Sequence, residues 1–276
     1  MVYDIVVGRT EDEKRILGTK ATIYIGKHFV KMGEATSLSS KILMDVVKSH
    51  VILVTGKRGS GKSNTLGIIA EEISRLPKDI SKNISVILFD TLGIFWTMKY
   101  PNTRQEKLLA SWDLTPEGMD IDVYVPKGFF NELKKKGFPC NYPFSLKTSG
   151  LGTDDWCGVF DIDLLSSHGI LVDRIVSSLK GSYSLDNIIS KIQKDKKADI
   201  NTKNAVENKF TAARSWGLFD EKGLDINDIT LKRKVSIIDL SSYSNVAGNW
   251  NIKGLVIGLI SKKLLLSRIE SRKQEE

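Results

Sequence analysis

The stretch Gly56-Lys57-Arg58-Gly59-Ser60-Gly61-Lys62-Ser63 constrains this chain more than any other. It fits G-x-x-x-x-G-K-[ST] at every position. Glycines let a backbone wrap a phosphate at distances that a Cβ would forbid, and their N–H groups turn inward as an anion nest. Lys62 can reach the β- and γ-phosphates, and the Ser63 hydroxyl can ligate Mg²⁺. The following helix adds its first-turn amides, Asn64 included, and its dipole. The flanks satisfy what such a loop needs. Residues 51–55 form a continuous apolar, β-branched run, which reads as a strand buried on both faces of a parallel sheet. Residues 64–76 read as an amphipathic helix with Leu66, Ile69, Ile73 and Leu76 on one face. Gly56 to Asn64 are therefore the expected binding residues for a nucleoside triphosphate.

The rest of the chain supplies a matching frame. Residues 85–89 read as a second buried strand ending at Asp90, residues 122–125 as a third, and residues 235–240 as a later one. Between them, residues 171–179, 185–192 and 205–216 have helical spacing, and residues 252–272 have it again near the end. Strands alternating with helices imply an α/β fold with a mostly parallel sheet. The first fifty residues read as β structure with turns, residues 40–49 being a short helix or a connection. The expected organisation is a β segment over 1–48 and a P-loop core over 49–276 carrying a mainly helical insertion at about 160–230.

Composition sets outer bounds. The 276 residues carry 41 Lys+Arg against 33 Asp+Glu, a net charge of +8, with 41% hydrophobic and 27% charged residues, so a disordered chain is excluded. The excess of positive charge points to an anionic partner, nucleotide or nucleic acid. The best uninterrupted uncharged apolar stretch near the C-terminus, residues 254–261, is far short of the roughly 20 residues a bilayer needs. Asp4 and Arg9 stand where a secretory signal requires an apolar run, so no membrane and a cytoplasmic location are expected. Cys140 and Cys157 are too few for a disulfide framework or zinc cluster. His28, His50 and His168 lack metal-ligand spacing, and His50 reads as structural.

Among P-loop classes, a GTPase is the first rival, because Asp90-Thr91-Leu92-Gly93 matches D-x-x-G. The guanine-reading N-K-x-D is missing; Asn208-Lys209-Phe210-Thr211 lacks the aspartate. A small-molecule kinase fits the long helical insertion poorly. The loop, followed by Thr65-Leu66-Gly67 and Glu71-Glu72, resembles the HerA branch of the HerA/FtsK ATPases, DNA translocases of prokaryotes and especially of archaea. Leu17-Gly18-Thr19 with Tyr24-Ile25-Gly26 is similar to the β segment that precedes their core. Asp90-Thr91-Leu92-Gly93-Ile94-Phe95-Trp96 sits where the family has an aspartate, a glycine and an aromatic, and residues 205–220 are similar to its helix before the 235–240 strand. The resemblance covers nearly the whole chain.

What the resemblance implies is a RecA-like core that binds ATP with Mg²⁺. It couples hydrolysis to movement on DNA as a helicase or translocase. It also implies assembly as a homo-hexameric ring around DNA beside a NurA-like nuclease. Lys62 and Asp90 are then the catalytic candidates, and Ser63 and Asp90 the metal candidates. For Asp90 two readings stand: contact with Mg²⁺ or a neighbour's nucleotide, or an acid near the site through topology alone. Hydrolysis also needs a strand ending in Asp-Glu and an arginine from a neighbour. Asp90 and Asp239 end apolar strands but are followed by Thr91 and Leu240. In the family the Asp-Glu strand follows the helix that ends this sequence, so the chain reads as the N-terminal part of a longer ATPase. The alternative is a nucleotide-binding assembly module with little ATPase activity of its own.

Two surfaces are candidates for DNA. Lys134-Lys135-Lys136 lies among Phe129, Phe130, Phe138, Tyr142 and Phe144, which suits phosphate contact with base stacking or, alternatively, a solvated lysine face. Lys191, Lys194, Lys196 and Lys197 form a second cluster with the same pair of readings. Trp156, Trp216 and Trp250 read as core anchors.

Overall fold

The structure is a computed structural model that describes residues 3–32, 35–223, 230, 234–245 and 249–275. Its internal contacts separate two compact units. One comprises Met1–Val86, Thr97–Ile121 and Lys232–Val235; the other comprises Ile87–Trp96, Asp122–Leu231 and Ser236–Glu276.

The first unit begins with β1 (Ile5–Val7), α1 (Glu11–Leu17), β2 (Thr22–Met32) and β3 (Ala35–Asp45). Strand β3 lies in the middle, parallel to β1 through Ile5↔Ile42 and antiparallel to β2 through Tyr24↔Leu43. Residues 40–45, expected as a helix or connection, are thus the second half of a strand. The ladders on both sides bury Leu43 and Met44, which a lone helical turn would leave wet. Helix α1 is a further departure from the expected all-β start. It is fixed by a capping box, in which Thr10 accepts from the Glu13 amide and Glu13 accepts from the Thr10 amide. The unit continues with α2 (Lys62–Ser74), α3 (Lys78–Ser81) and α4 (Glu106–Ala110). Helix α2 runs beside β2, where the Glu72 carboxylate accepts from the Tyr24 amide at 3.4 Å.

The strand expected at residues 51–55 does not form. Among the described residues its backbone makes no hydrogen bond, Val51 is fully exposed and Leu53 is 85% exposed. An apolar run becomes a buried strand only when a neighbouring strand takes its N–H and C=O groups, and no described strand does so here.

The second unit holds all but the first residues of the parallel sheet. Its strands are β4 (Val86–Asp90), β9 (Val235–Asp239), β5 (Ile121–Pro126) and β6 (Tyr142–Phe144), in that spatial order. The amide of Val86 donates to Lys234 O and that of Leu240 to Asp90 O, so β4 and β9 run the same way; β5 and β6 pair in parallel through Tyr124↔Tyr142. Every residue of β5 and β9 is buried, as a sheet covered on both faces requires. A two-stranded piece, β7 (Leu146–Lys147) with β8 (Phe219–Asp220), sits apart from it.

The helices of this unit are α5 (Lys127–Lys135), α6 (Thr153–Phe160), α7 (Ser167–Ser178), α8 (Leu185–Lys194), α9 (Ile200–Ser215) and α10 (Asn249–Glu275). Ser166, Ser184 and Asp199 cap α7, α8 and α9 by accepting first-turn amides, which places the helix starts where the sequence turns polar. Trp156 is fully buried, with Phe210 and Phe219 at 5.0 and 4.9 Å between ring centroids. Burying one aromatic of this size contributes about 3 kcal/mol. Trp156 is thus the core anchor expected of it; Trp216 is half-buried against Phe160 and Phe219, and the side chain of Trp250 lies outside the described residues. No helix among the described residues is long and apolar enough to cross a membrane.

Candidate nucleotide-phosphate site

The loop from Gly56 leads straight into α2. Gly59 and Gly61 hold positive φ of 78° and 89°, a region a side chain rarely adopts, and Gly61 serves as the helix N-cap with no side-chain cap of its own. A Cβ on Gly56 would collide with the Ser60 hydroxyl, so glycine there lets the loop close tightly. The loop is pinned by the Ser60 amide to Lys57 O and by the Thr65 amide to Gly61 O. The amides of Lys62, Ser63 and Asn64 fall in the first helical turn, where no intrahelical acceptor exists. Those donors, the helix dipole and three adjacent cations (Lys57, Arg58 and Lys62) suit a polyphosphate.

Lys62 lies over its own loop. Its ammonium donates to Gly56 O at 2.9 Å and Lys57 O at 2.7 Å, both at the start of the loop. Ser63 is half-buried beside it, one position into the helix. The donor set therefore fits a triphosphate, with the Ser63 hydroxyl as the oxygen that would hold a divalent cation. A cavity of about 310 Å³, lined by Ile73, Arg75, Ile84, Glu117 and Met119, lies at the other end of α2.

Asp90 belongs to the second unit and ends β4, buried. Both of its carboxylate oxygens are engaged by its own loop. One accepts from the amides of Leu92 (3.1 Å) and Gly93 (2.7 Å), the other from those of Ile94 and Phe95 (both 2.7 Å). The acid thereby folds residues 91–95 into a turn that starts the 3₁₀ helix Phe95–Lys99. Direct metal contact would ask Asp90 to surrender some of these charge-assisted bonds.

On the adjacent strand end, Asp239 is buried, with one oxygen accepting from the Ser241 amide at 2.8 Å. Its other oxygen, Oδ2, has no partner among the described residues and faces Gly93. Burial pushes the Asp239 carboxyl above its ordinary range; the Ser241 hydrogen bonds and Lys253 oppose this, and Asp90 adds to it. Lys253, buried on α10, donates to Thr91 O at 2.8 Å and Ser244 Oγ at 2.9 Å. Sequence reasoning missed this lysine, because 162 residues separate it from Thr91.

The lysine clusters divide. Lys134 stands over the Phe130 ring at 5.4 Å and Lys136 pairs with Glu132, while Phe129 packs on Tyr243 and Phe138 on Trp96. Those aromatics are engaged in packing. Lys191 donates to the Ser178 carbonyl and hydroxyl at the end of α7, whereas Lys194, Lys196 and Lys197 are exposed.

Comparison with known proteins agrees with this architecture. A search of curated proteins finds no match. The sequence profile described as helicase HerA, central domain, matches residues 23–260, a span that runs from β2 through the phosphate loop and the parallel sheet into α10. A family of ATPase domains of this kind implies binding of a nucleotide together with a metal ion. With that span covering most of its 276 residues, the chain belongs to the family of the helicase HerA central domain.

Proposed function

We propose that the chain binds ATP through Gly56, Lys57, Arg58, Gly59, Ser60, Gly61, Lys62, Ser63 and Asn64, with Mg²⁺ on the Ser63 hydroxyl, and acts as the ATP-binding part of a HerA-like DNA translocase. The observation that carries this is the glycine loop wound left-handed at Gly59 and Gly61 onto the open N-terminus of α2. Lys62 neutralises the β- and γ-phosphates, and the bound cation supplies further charge stabilisation there. Asp90 acts as a positioning residue by ordering residues 91–95. DNA is held without sequence preference through exposed lysines such as Lys194, Lys196 and Lys197, which makes binding steeply salt-dependent. Assembly into a cytoplasmic homo-hexamer beside a NurA-like nuclease completes the reading.

One observation favours a second reading, a nucleotide-binding module with little turnover. Both oxygens of Asp90 are committed to backbone amides, and neither Asp90 nor Asp239 is followed by the glutamate that would polarise water.

ATP binding, DNA binding and DNA-stimulated hydrolysis of the chain, measured beside Lys62→Ala, separate the two. Removing the ammonium should weaken ATP binding by about a hundredfold, the scale of a lost charge-assisted contact to phosphate. DNA-stimulated hydrolysis, or salt-dependent DNA binding without it, supports the translocase; ATP binding with no binding of DNA supports the module. Equal binding by wild type and Lys62→Ala would sink both.

A further inference from the structure

The segment that carries the phosphate loop, residues 51–55, has no strand ladder among the described residues, so something else must set where the loop begins. Immediately before it, the structure holds a buried polar clasp. The Asp45 carboxylate, its side chain 1% exposed, accepts from Arg9 Nε at 2.7 Å on one oxygen. On the other it meets His50 Nε2 at 2.9 Å and the Lys48 amide at 3.0 Å. The rest of the Arg9 guanidinium donates to the carbonyls of Gly18, Lys20 and Ala21. One arginine and one aspartate thus tie the β1–α1 turn, the start of β2 and the end of β3 together. The His50 ring is seated on Gly8, whose φ is +88° and where an added Cβ would come within 2.9 Å of the ring. On the far side of the loop, α2 is fastened to β2 by Glu72 and Tyr24.

We propose that His50, held by Asp45, is a positioning residue for the phosphate loop: it anchors the leading end of the loop to the N-terminal sheet, as α2 anchors the trailing end. This rests on the reading that Gly56–Asn64 bind ATP. A loop fixed at both ends loses little freedom when phosphate arrives; one fixed only at α2 must be ordered at the moment of binding, and its affinity falls by that cost. The Arg9–Asp45 pair at the heart of the clasp is ionic and buried, and the His50 side chain, 24% exposed, closes it from the solvent side. Its partners are Asp45 on β3, Arg9 after β1 and the Lys48 amide. The Lys48 ammonium turns outward to Glu13.

The test is the affinity of the full chain for ATP with Mg²⁺ in wild type, His50→Ala, His50→Gln and Leu43→Ala. Gln can still donate an N–H to Asp45; Leu43→Ala hollows the same sheet and leaves Arg9, Asp45 and His50 themselves unchanged. The expected result is about tenfold weaker binding for His50→Ala, recovery to within about threefold for His50→Gln, and wild-type affinity for Leu43→Ala despite its lower melting temperature. Equal affinity of His50→Ala and wild type overturns the proposal. So does a loss in Leu43→Ala as large as in His50→Ala, because general loosening would then explain both. If wild type itself binds no ATP, the nucleotide reading falls and takes the clasp with it.

Discussion

Leu53 and Ile237 stand in two runs that look alike on paper, Val-Ile-Leu-Val and Val-Ser-Ile-Ile, each leading to polar residues with a chemical role. In the folded chain Leu53 is 85% exposed and Ile237 is fully buried. The difference lies in neighbours. Residues 235–239 have β4 on one side and β5 on the other, so their backbone groups are paired and their side chains covered. Residues 51–55 have no partner strand among the described residues. Apolar, β-branched sequence gives a segment the capacity to be a strand, while pairing decides whether it becomes one.

The sharpest way to break this comparison is to truncate both leucine-sized side chains. Ile237→Ala should lower unfolding stability by about 3 kcal/mol, a lost transfer contribution plus a cavity. Leu53→Ala should change it by less than about 0.5 kcal/mol, as surface substitutions do. Urea unfolding of the two variants, followed by circular dichroism, checks it. A large loss in Leu53→Ala would mean that residues 51–55 are packed in solution and that the contrast is false.

The same contrast explains what was legible in the sequence. The phosphate loop could be read residue by residue because its requirements are local: glycines where φ is positive and a lysine and serine at fixed offsets. Strands β5 and β9 were legible because buried parallel strands are short apolar runs between polar ends, and β4, at the sheet edge and half-buried where full burial was expected, has the same pattern. The 51–55 strand misled for the same reason, since a run carries no mark of its partner. The 40–45 half of β3 was hidden by Ser39, Ser40 and Lys41, whose polarity belongs to a stretch of ladder that is only partly covered. Arg9, Asp45 and His50 could not be joined by reading, because 36 residues separate the arginine from its aspartate. The fourfold use of Asp90 by amides was likewise invisible. A strand-end aspartate before a glycine has one spelling whether it holds a metal or a turn.

A second comparison sharpens the first: two buried aspartates titrate in opposite directions. Burial alone would raise Asp45, but hydrogen bonds from His50, the Lys48 amide, Arg9 and the Val47 amide override it and hold the carboxyl at about 2, below its ordinary 3.8. A depressed folded pKa contributes stability that is fully present above about pH 4 and is lost as the pH falls through about 2, here roughly 2 kcal/mol. The stability difference between wild type and Asp45→Asn should therefore shrink between pH 4 and pH 2. A difference that stayed flat into acid would show that Asp45 is not held ionised by the clasp.

Asp239 is the smaller and opposite case. Burial raises its carboxyl, with the Asp90 charge adding to the shift and the Ser241 hydrogen bonds and Lys253 opposing it, and its Oδ2 has no partner among the described residues. An acid whose folded pKa lies above its unfolded 3.8 favours the folded state below that raised value. It costs stability as the pH climbs past it, because a desolvated charge must then be kept inside. Asparagine keeps the acceptor for the Ser241 amide and removes the charge that the Asp90 carboxylate repels. Asp239→Asn should thus stabilise the chain by about 1 kcal/mol at neutral pH, and the gain should fade as the pH falls toward 4 and wild-type Asp239 takes up its proton. Melting curves at pH 7.5 and pH 4.5 read both halves of this statement. A destabilised Asp239→Asn at neutral pH would mean that the charge is balanced by Lys253 after all. Asp239 and Lys253 would then form a working ion pair at the end of β9, and the buried acids of the two units would be alike in being satisfied.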